Sequence, residues 1–372
     1  MRILVVGGSG FIGRFLVPQL LGGGHDVAVV QRPESATPLP PGARAIRADR
    51  RRLAAAAGAL RAFGPDAVVD LILSSGRQAA ELTDVMRGHA GRLVAVSSMD
   101  VYRATGVLHG LEEGALEPLP LREGSPLRTR LQTYPEAQIR MLQGVFGWLD
   151  DEYDKIPVER AVLADAALPA VVLRLPMIHG PGDPLHRLHP LLRRMDDRRP
   201  AIVLPASVAA WRGPRGYVEN VAAAVALAAT APSVRQGADA VYNVGEAESL
   251  TELEWARLVA DAAGWRGELV VVPDEEAPPS VRLPGNLAQH WVVDTTRIRT
   301  ELGYREPVGR EEALRRTVDW ERRHPPPTID PARFDYAAED AAAHSPAARR
   351  FPVAPPAADG GAAGAVTSRP GR

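Results

Sequence analysis

The sequence contains no cysteine, which excludes disulfides, thiolate nucleophiles and cysteine metal sites. It also lacks an excess of charge of either sign, because 44 Lys and Arg residues face 45 Asp and Glu residues. A global electrostatic attraction to nucleic acid or to an anionic membrane is therefore not expected. No apolar run reaches bilayer-spanning length, and the first residues lead directly into a strand-like run. We expect a cytoplasmic protein without a signal peptide.

A glycine-rich stretch separates the first strand-like run from a helical one. Residues 3–6 are apolar and β-type, glycines follow at positions 7, 10 and 13, and a second β-type run occupies 27–30. Strand, tight turn, helix and strand in this order form the unit that holds a pyrophosphate on backbone N–H groups and a helix N-terminus. We therefore expect nucleotide-cofactor binding by Gly7, Gly10, Phe11, Ile12 and Gly13.

Later apolar runs indicate the fold class. Runs at 67–73, 93–96 and 171–175 alternate with helical stretches, which predicts an α/β fold with a Rossmann-type doubly wound parallel sheet. The mixed pattern beyond residue 175 predicts a smaller mixed α/β substrate-binding domain. We assign 1–175 and 216–242 to the Rossmann domain, 176–215 and 243–324 to the substrate-binding domain, and 325–372 to a disordered tail.

Residues 103–150 depart from a minimal fold and are interpreted as an insertion. Its second half places Ile139, Leu142, Phe146 and Leu149 on one helical face. One interpretation is that this face packs on the body of the protein. The alternative is a lid or a dimer contact beside the active site.

The spacing Gly7-x-x-Gly10-x-x-Gly13 resembles the extended short-chain dehydrogenase/reductase family, that is, the NAD-dependent epimerases and dehydratases. The segments SSMDVY, EYDKIPVERAVL, RLPMIHGPGD and RIRTELGYREPV resemble further parts of that family, so the likeness covers roughly residues 1–324. One departure lies just before the first glycine, where the family typically has Thr and this chain has Val6.

The resemblance implies an NAD(P) cofactor. Arg32 stands where an acidic residue would hold a ribose 2′-hydroxyl, and an arginine there favours the 2′-phosphate of NADP over NAD. The alternative is that Arg32 is a solvated surface charge. The resemblance places Asp49 at the adenine amino group, and Leu73 at the end of its run is a further candidate for cofactor contact.

The family moves a hydride between a sugar carbon and nicotinamide while a Tyr, four residues before a Lys on one helix, handles the hydroxyl proton. Ser98 matches the family's active hydroxyl, and the alternative is a serine that simply caps the strand end. Lys155 matches the family's lysine, with Glu159 four residues later. The residue four before Lys155 is Asp151, however, and the nearest tyrosine is Tyr153.

Three residues are therefore candidates for the general base. Tyr153 fits if the helix starts late, which Pro157 favours because proline is tolerated in a first turn. Asp151 could act as a carboxylate base at the usual tyrosine position. Asp100 lies where the sugar 4,6-dehydratases carry a Glu, but Met99 replaces the preceding Asp of those enzymes. The alternative for Asp100 is a solvated turn residue.

Polar residues after residue 175 are candidates for substrate binding. Guanidinium groups pair well with phosphates, so arginines here could hold the diphosphate of a nucleotide sugar. The predicted substrate-binding residues are His179, His186, Arg187, Arg212 and Arg215. A metal site at His186 and His189 lacks further closely spaced ligands, and we predict none. Arginine-rich spots at 50–52 and 193–199 are interpreted as solvated faces.

Taken together, these features predict an NAD(P)-dependent epimerase, dehydratase or reductase that acts on a nucleotide-activated sugar or a related polar carbonyl or alcohol. Helices near 78–89 and 153–163 could pair two subunits into a homodimer, as the family's dimers do. The alternative function is a catalytically altered NAD(P)-binding regulator or RNA-binding protein of the same fold. The lack of basic patches interleaved with aromatics disfavours the RNA version.

Overall fold

The structure, a computed structural model, describes residues 1–132 and 134–353. Seven strands form a main sheet in the spatial order β3–β2–β1–β4–β5–β6–β10, and every neighbouring pair is parallel. The strands are β1 (Arg2–Val6), β2 (Asp26–Gln31), β3 (Arg44–Arg47), β4 (Ala67–Asp70), β5 (Arg92–Ser98), β6 (Ala170–Leu175) and β10 (Val241–Asn243). The predicted doubly wound parallel sheet is confirmed.

Alternating side chains bury both faces of this sheet. In β1, Ile3 and Val5 belong to the core on one face, whereas Leu4 and Val6 belong to the core on the other. Helices α1 (Gly13–Gly22) and α9 (Val218–Thr230) pack together on the first face, and α3 (Gly76–Met86) and α6 (Lys155–Leu163) on the second. A 3₁₀ turn at Arg50–Ala56 and helix α2 (Ala57–Phe63) also cover the second face. Because the strand order reverses between β1 and β4, a crevice opens at their carboxyl ends.

The remaining strands form two small sheets. Parallel β7 (Met177–His179) and β9 (Arg215–Tyr217) pair with each other, while β11 (Glu268–Val272) lies between parallel β8 (Ala201–Pro205) and antiparallel β12 (Arg349–Pro352). The helices outside the main sheet are α4 (Arg103–Leu108), α5 (Glu136–Val145), α7 (His189–Asp196), α8 (Ala206–Ala210), α10 (Glu252–Ala263), α11 (Thr296–Glu301), α12 (Arg310–Arg323) and α13 (Tyr336–Ala343). The assignment of these segments to two domains stays a prediction.

The insertion contributes helix α5, which ends at Val145 and so excludes Phe146 and Leu149 from the predicted helical face. Of that predicted face, Ile139 and Leu149 are buried, whereas Leu142 and Phe146 are half-buried. Other parts of the insertion pair with the body, since Leu121 bridges Val293. The choice between simple packing and a lid or dimer contact stays open.

The predicted disordered tail is wrong for its first part. Residues 331–353 form a 3₁₀ turn, helix α13 and strand β12, which pairs with β11. Glu339 of α13 forms a buried ion pair with Arg194, and Ala342, Ala343 and Val353 are buried. The sequence pattern did not predict α13, because its buried residues are mostly alanines, which give little amphipathic contrast. Residues 354–372 lie outside the described part of the chain.

Candidate functional site

Helix α6 positions the predicted lysine. It begins at Lys155, and the carboxylate of its N-cap Asp154 accepts a hydrogen bond from the Ile156 backbone N–H at 2.8 Å. Pro157 lies in the first turn, where proline is tolerated. Tyr153 consequently lies in the loop just before the helix.

Buried polar contacts hold α6 against the sheet. Glu159, one turn after Lys155, accepts a hydrogen bond from Ser97 Oγ at 2.5 Å and pairs with Arg174 at 2.7 Å. At the N-terminal end, the buried Asp154 pairs with the buried Arg128 at 3.2 Å. Charge-assisted bonds of this kind are stronger and more directional than neutral ones, so they fix the lysine relative to strands β5 and β6.

Four side chains meet beyond the carboxyl end of β5. The hydroxyls of Tyr134 and Tyr153 each lie 3.3 Å from Asp100 Oδ2 and donate to it, and the two rings are 5.8 Å apart between centroids. Lys155 Nζ donates to the backbone oxygens of Leu73, three residues after β4, and of Val96 in β5, the latter at 3.1 Å. The ammonium also lies 5.8 Å from the centre of the Tyr153 ring. The structure therefore brings the candidates Asp100, Tyr153 and Lys155 together and adds Tyr134.

Burial sets the ionisation of this cluster. Desolvation lowers the pKa of Lys155 to about 8, although the nearby carboxylates of Asp100, Asp70 and Glu159 oppose the effect. Desolvation also raises the pKa of Asp100, and desolvation together with the Asp100 charge raises the pKa values of Tyr134 and Tyr153. Both tyrosines are therefore protonated at neutral pH, which suits a proton donor better than a base.

The other two catalytic candidates are placed differently. Ser98 ends β5, and its Oγ accepts a hydrogen bond from the Asp100 backbone N–H at 3.2 Å, so the side chain caps the turn that carries Asp100. Asp151 is exposed and accepts a hydrogen bond from Gln143 of α5 at 2.6 Å. The structure thus places Asp151 at the surface and not beside Lys155.

The glycine-rich loop forms a close backbone turn at the start of α1. Gly7 has φ +84°, and a Cβ on Gly13 would lie 2.5 Å from the Gly7 carbonyl oxygen, so the loop and the helix touch without room for a side chain. The N-cap, Ile12, offers no side-chain acceptor, and the first turn has no acidic residue. Such a cradle of backbone N–H groups fits the pyrophosphate of a dinucleotide.

The outer cofactor candidates have partners of their own. Arg32 follows β2, is exposed, and lies 3.6 Å from the Glu34 carboxylate. Asp49 caps the 3₁₀ turn at Arg50–Ala56 through the Arg51 N–H at 2.9 Å. Leu73 is fully buried and meets Lys155 through its backbone oxygen. Their contacts with a cofactor stay predictions.

Four of the five predicted substrate residues line one cavity of about 980 Å³. The four are His179, His186, Arg187 and Arg215. Arg212 is not part of the lining, and its guanidinium donates to the Ser249 backbone oxygen at 2.9 Å. The cavity borders the small strands β7 and β8 and helices α7 and α10.

Metal-binding clusters and membrane-spanning helices are both absent from residues 1–132 and 134–353. Nowhere in these residues do three or more His, Asp or Glu side chains gather in a way that could hold a metal ion. Among the same residues, every helix is too short or too polar to cross a membrane.

Comparison with known proteins supports the family resemblance in the N-terminal part of the chain. Residues 3–110 match the model of the NAD dependent epimerase/dehydratase family. The match covers less than half of the chain. The match covers β1 to α4, including the glycine-rich loop, Ser98 and Asp100, and it confirms the resemblance drawn from the sequence.

Relatives extend the likeness to most of the fold. A UDP-glucose 4-epimerase of Thermus thermophilus, solved with NAD, is 26% identical with a TM-score of 0.55, over 87% of this chain and 99% of that one. A UDP-glucose 4-epimerase of Thermotoga maritima, solved with UDP-glucose, shares the fold at 20% identity and a TM-score of 0.60, with the same coverage. The 2′-dehydrokanamycin reductase of Streptomyces kanamyceticus is 40% identical over 101 residues, 27% of this chain. That match spans only 28% of the reductase.

The sequence did not indicate the positions of four buried or half-buried polar residues. Tyr134 comes from the insertion, where no motif marks it, and reaches Asp100 only through the fold. Arg128 is buried and donates to the Asp100 backbone oxygen at 2.6 Å. Arg50, expected on a solvated face, instead pairs with the fully buried Asp70 at 3.0 Å. Arg194, also expected to be solvated, is buried.

Proposed function

We propose that the chain is an NAD(P)-dependent oxidoreductase of the epimerase, dehydratase or reductase type. The observation that carries this proposal is the cluster of Asp100, Tyr153 and Lys155, at the same edge of the sheet as the glycine-rich cradle. When bound, the nicotinamide ring supplies or accepts a hydride. The protein must then move a proton at the neighbouring substrate oxygen.

The residues divide this work as follows. The backbone of Gly7, Gly10, Phe11, Ile12 and Gly13 would hold the pyrophosphate, with Asp49, Arg32 and Leu73 at the nucleoside ends. Lys155 would hold the ribose with its ammonium. Tyr153, kept protonated by burial, would give its hydroxyl proton to a carbonyl oxygen while the carbonyl carbon gains the hydride. The product is then a secondary alcohol, and Asp100 lies within reach to return a proton to the tyrosine.

The direction of the pKa shift favours reduction. A tyrosine with a raised pKa is a poor base for oxidising an alcohol, whereas it is ready to donate at neutral pH. The substrate is a nucleotide-activated sugar, like the UDP-glucose bound in one structural neighbour, or a related carbonyl compound, as in the name of the reductase relative. NADP is the expected dinucleotide because Arg32 follows β2, while the neighbouring structures contain NAD.

The test is a titration with NADPH and NADH in matched glycine variants of helix α1. Gly13→Ala should abolish binding, because its Cβ would lie 2.5 Å from the Gly7 oxygen. Gly22→Ala, at the other end of the same helix, meets nothing within 4 Å and should bind like the wild type. Circular dichroism shows whether both variants are folded. Equal affinity in both would contradict the assigned cradle.

The alternative function is a dinucleotide-binding regulator without catalytic turnover. The position of Tyr153 in the loop before α6 favours this alternative. It predicts tight dinucleotide binding that no carbonyl or alcohol substrate changes, and no oxidation of NADPH. Turnover of any such substrate that is lost in Tyr153→Phe would eliminate it.

A further inference from the structure

The cavity beside β7 and β8 is large and mostly apolar. Its volume of about 980 Å³ is enough for a multi-ring ligand. Three of the six tryptophans of the chain, Trp211, Trp255 and Trp291, lie in its wall. Aliphatic side chains fill most of the remaining wall, among them Met177, Leu188, Leu191, Ile202 and Val208.

Three polar atoms in the wall are buried and have no hydrogen-bond partner within the described residues. They are His179 Nε2, Ser280 Oγ and Trp291 Nε1. His179 is only 2% exposed, its Nδ1 is occupied by Thr317 at 3.1 Å, and Glu246 Oε1 is 4.0 Å from its Nε2. Buried polar groups in native proteins nearly always have partners. Three such atoms among the residues that line one cavity are therefore groups with which a ligand can pair once the side chains that cover them shift.

These three groups are electrically neutral. An indole N–H only donates, a serine hydroxyl donates or accepts, and burial lowers the pKa of His179 so that its imidazole is uncharged. Groups of this kind match hydroxyl and carbonyl oxygens. They do not compensate the charge of a phosphate.

The arginines that could bind a diphosphate are already paired. Arg187 contacts Asp183 at 2.7 Å, and Arg194 contacts Glu339 at 2.9 Å. Arg215 pairs with Glu252 and lies 4.3 Å over the Trp255 ring. A diphosphate at this position would meet arginines whose charge these carboxylates already neutralise.

The two other arginines of the wall do not alter this picture. Arg282 and Arg333 are exposed, and the Arg282 guanidinium donates to the Ala277 backbone oxygen at 2.7 Å. Their charge is therefore at the solvent-facing edge of the cavity.

We propose that this cavity binds an uncharged ketone or secondary alcohol carried on an apolar, ring-containing framework, not a nucleoside diphosphate sugar. The inference narrows the substrate class of the proposed oxidoreductase and rests on that proposal for the reaction. The binding itself depends only on the cavity.

Isothermal titration calorimetry of the full chain tests it, with a tetralone and a 3-ketosteroid as uncharged probes and UDP and UDP-glucose as charged ones. We expect saturable binding of at least one ketone and none of either UDP compound. Binding of UDP or UDP-glucose that is tighter than that of both ketones would overturn the inference. So would the absence of any ketone binding.

Two variants test whether ketone binding depends on the unpaired Trp291 and Ser280 atoms. Trp291→Phe keeps an aromatic ring and removes the N–H, and Ser280→Ala removes the hydroxyl, so each should weaken ketone binding by about tenfold. Trp148→Phe, outside the cavity wall, should keep the affinity within about twofold. Unchanged affinity in both cavity variants would contradict the assignment.

Titration of the same samples with NADPH and NADH separates the two proposals. Ketone binding without dinucleotide binding would refute the proposed function and leave the cavity inference standing. Dinucleotide binding without ketone binding would do the reverse.

Discussion

Lys155 is a fully enclosed cation whose neighbours determine its pH response. Its pKa is about 8 in the folded chain and 10.5 in a free side chain, and the charged groups that face it are Asp100, Asp70, Glu159 and Arg50. The unfolded chain therefore binds more protons between these two pH values, and the free energy of unfolding rises with pH in that window. Relative to Lys155→Met, we expect the wild type to gain up to about 3 kcal/mol between pH 8 and 10.5.

Urea denaturation of both proteins across this range measures the effect. Lys155→Arg serves as the control, because an arginine stays charged throughout and should remove the pH-dependent difference without removing the cation. Parallel curves for the wild type and Lys155→Met would show that the lysine has an ordinary pKa.

The two tyrosines on Asp100 raise the question of which one donates the proton. Only Tyr153 places its ring beside the Lys155 ammonium, so Tyr153→Phe should lower kcat by at least about a hundredfold. Tyr134→Phe should lower it by less than about tenfold, since it removes one of the two hydroxyls on Asp100 and leaves the donor in place. Steady-state kinetics with NADPH and a turned-over ketone give the comparison.

Asp151 supplies the matched control for that comparison. It is exposed and contacts Gln143, so Asp151→Asn should keep kcat within about twofold. A large loss of kcat in Asp151→Asn together with a small loss in Tyr153→Phe would instead assign the acid–base role to Asp151, four residues before Lys155.

At the scale of elements, the C-terminal segment of α13 and β12 is a structural part of the fold. Arg194 of α7 is buried and makes two bonds to Glu339 of α13, at 2.9 and 2.5 Å. Removing one partner of a buried ion pair leaves the other charge unpaired, so Glu339→Gln should destabilise the protein by about 3 kcal/mol.

The adjacent residue provides the control for this prediction. Asp340 pairs with Arg199, but about half of the Asp340 side chain is exposed. Asp340→Asn should therefore cost less than about 1 kcal/mol. Thermal denaturation of the two variants compares them directly, and equal losses would mean that the buried Arg194–Glu339 pair contributes no more than the exposed one.

For the whole molecule, the sequence predicted what depends on local pattern. Buried parallel strands such as β1 and β5 are continuous apolar runs, and the glycines at 7, 10 and 13 mark the loop by spacing, so both were readable in advance. Tyr134 and Arg128 could not be found, because their positions depend on how the insertion packs. The sequence did not predict the buried ion pairs of Arg50 and Arg194, because the spacing of arginines does not show whether they are buried.

The predicted substrate-binding residues show the same limit of what sequence pattern can predict. Sequence pattern identified His179 and Arg215, which do line the cavity, but it could not show that Glu252 already neutralises Arg215. Charge pairing between residues distant in the chain is a property of the fold. This pairing neutralises the arginines and so distinguishes an apolar cavity from a phosphate-binding site.

Helix α12 packs in two hydrophobic cores at once. This arrangement leads to a prediction of how the whole chain unfolds. In α12, Ala313 packs in the core on the first face of the main sheet, whereas Leu314 and Val318 pack in the core around α7 and α10. Separate domains of a chain this long often unfold in separate steps. Because α12 belongs to both cores, we expect one calorimetric transition. NADPH at 100 times its Kd should stabilise that whole transition by about 2.7 kcal/mol. Two transitions, of which only one responds to NADPH, would instead show that the predicted Rossmann and substrate-binding domains are energetically independent.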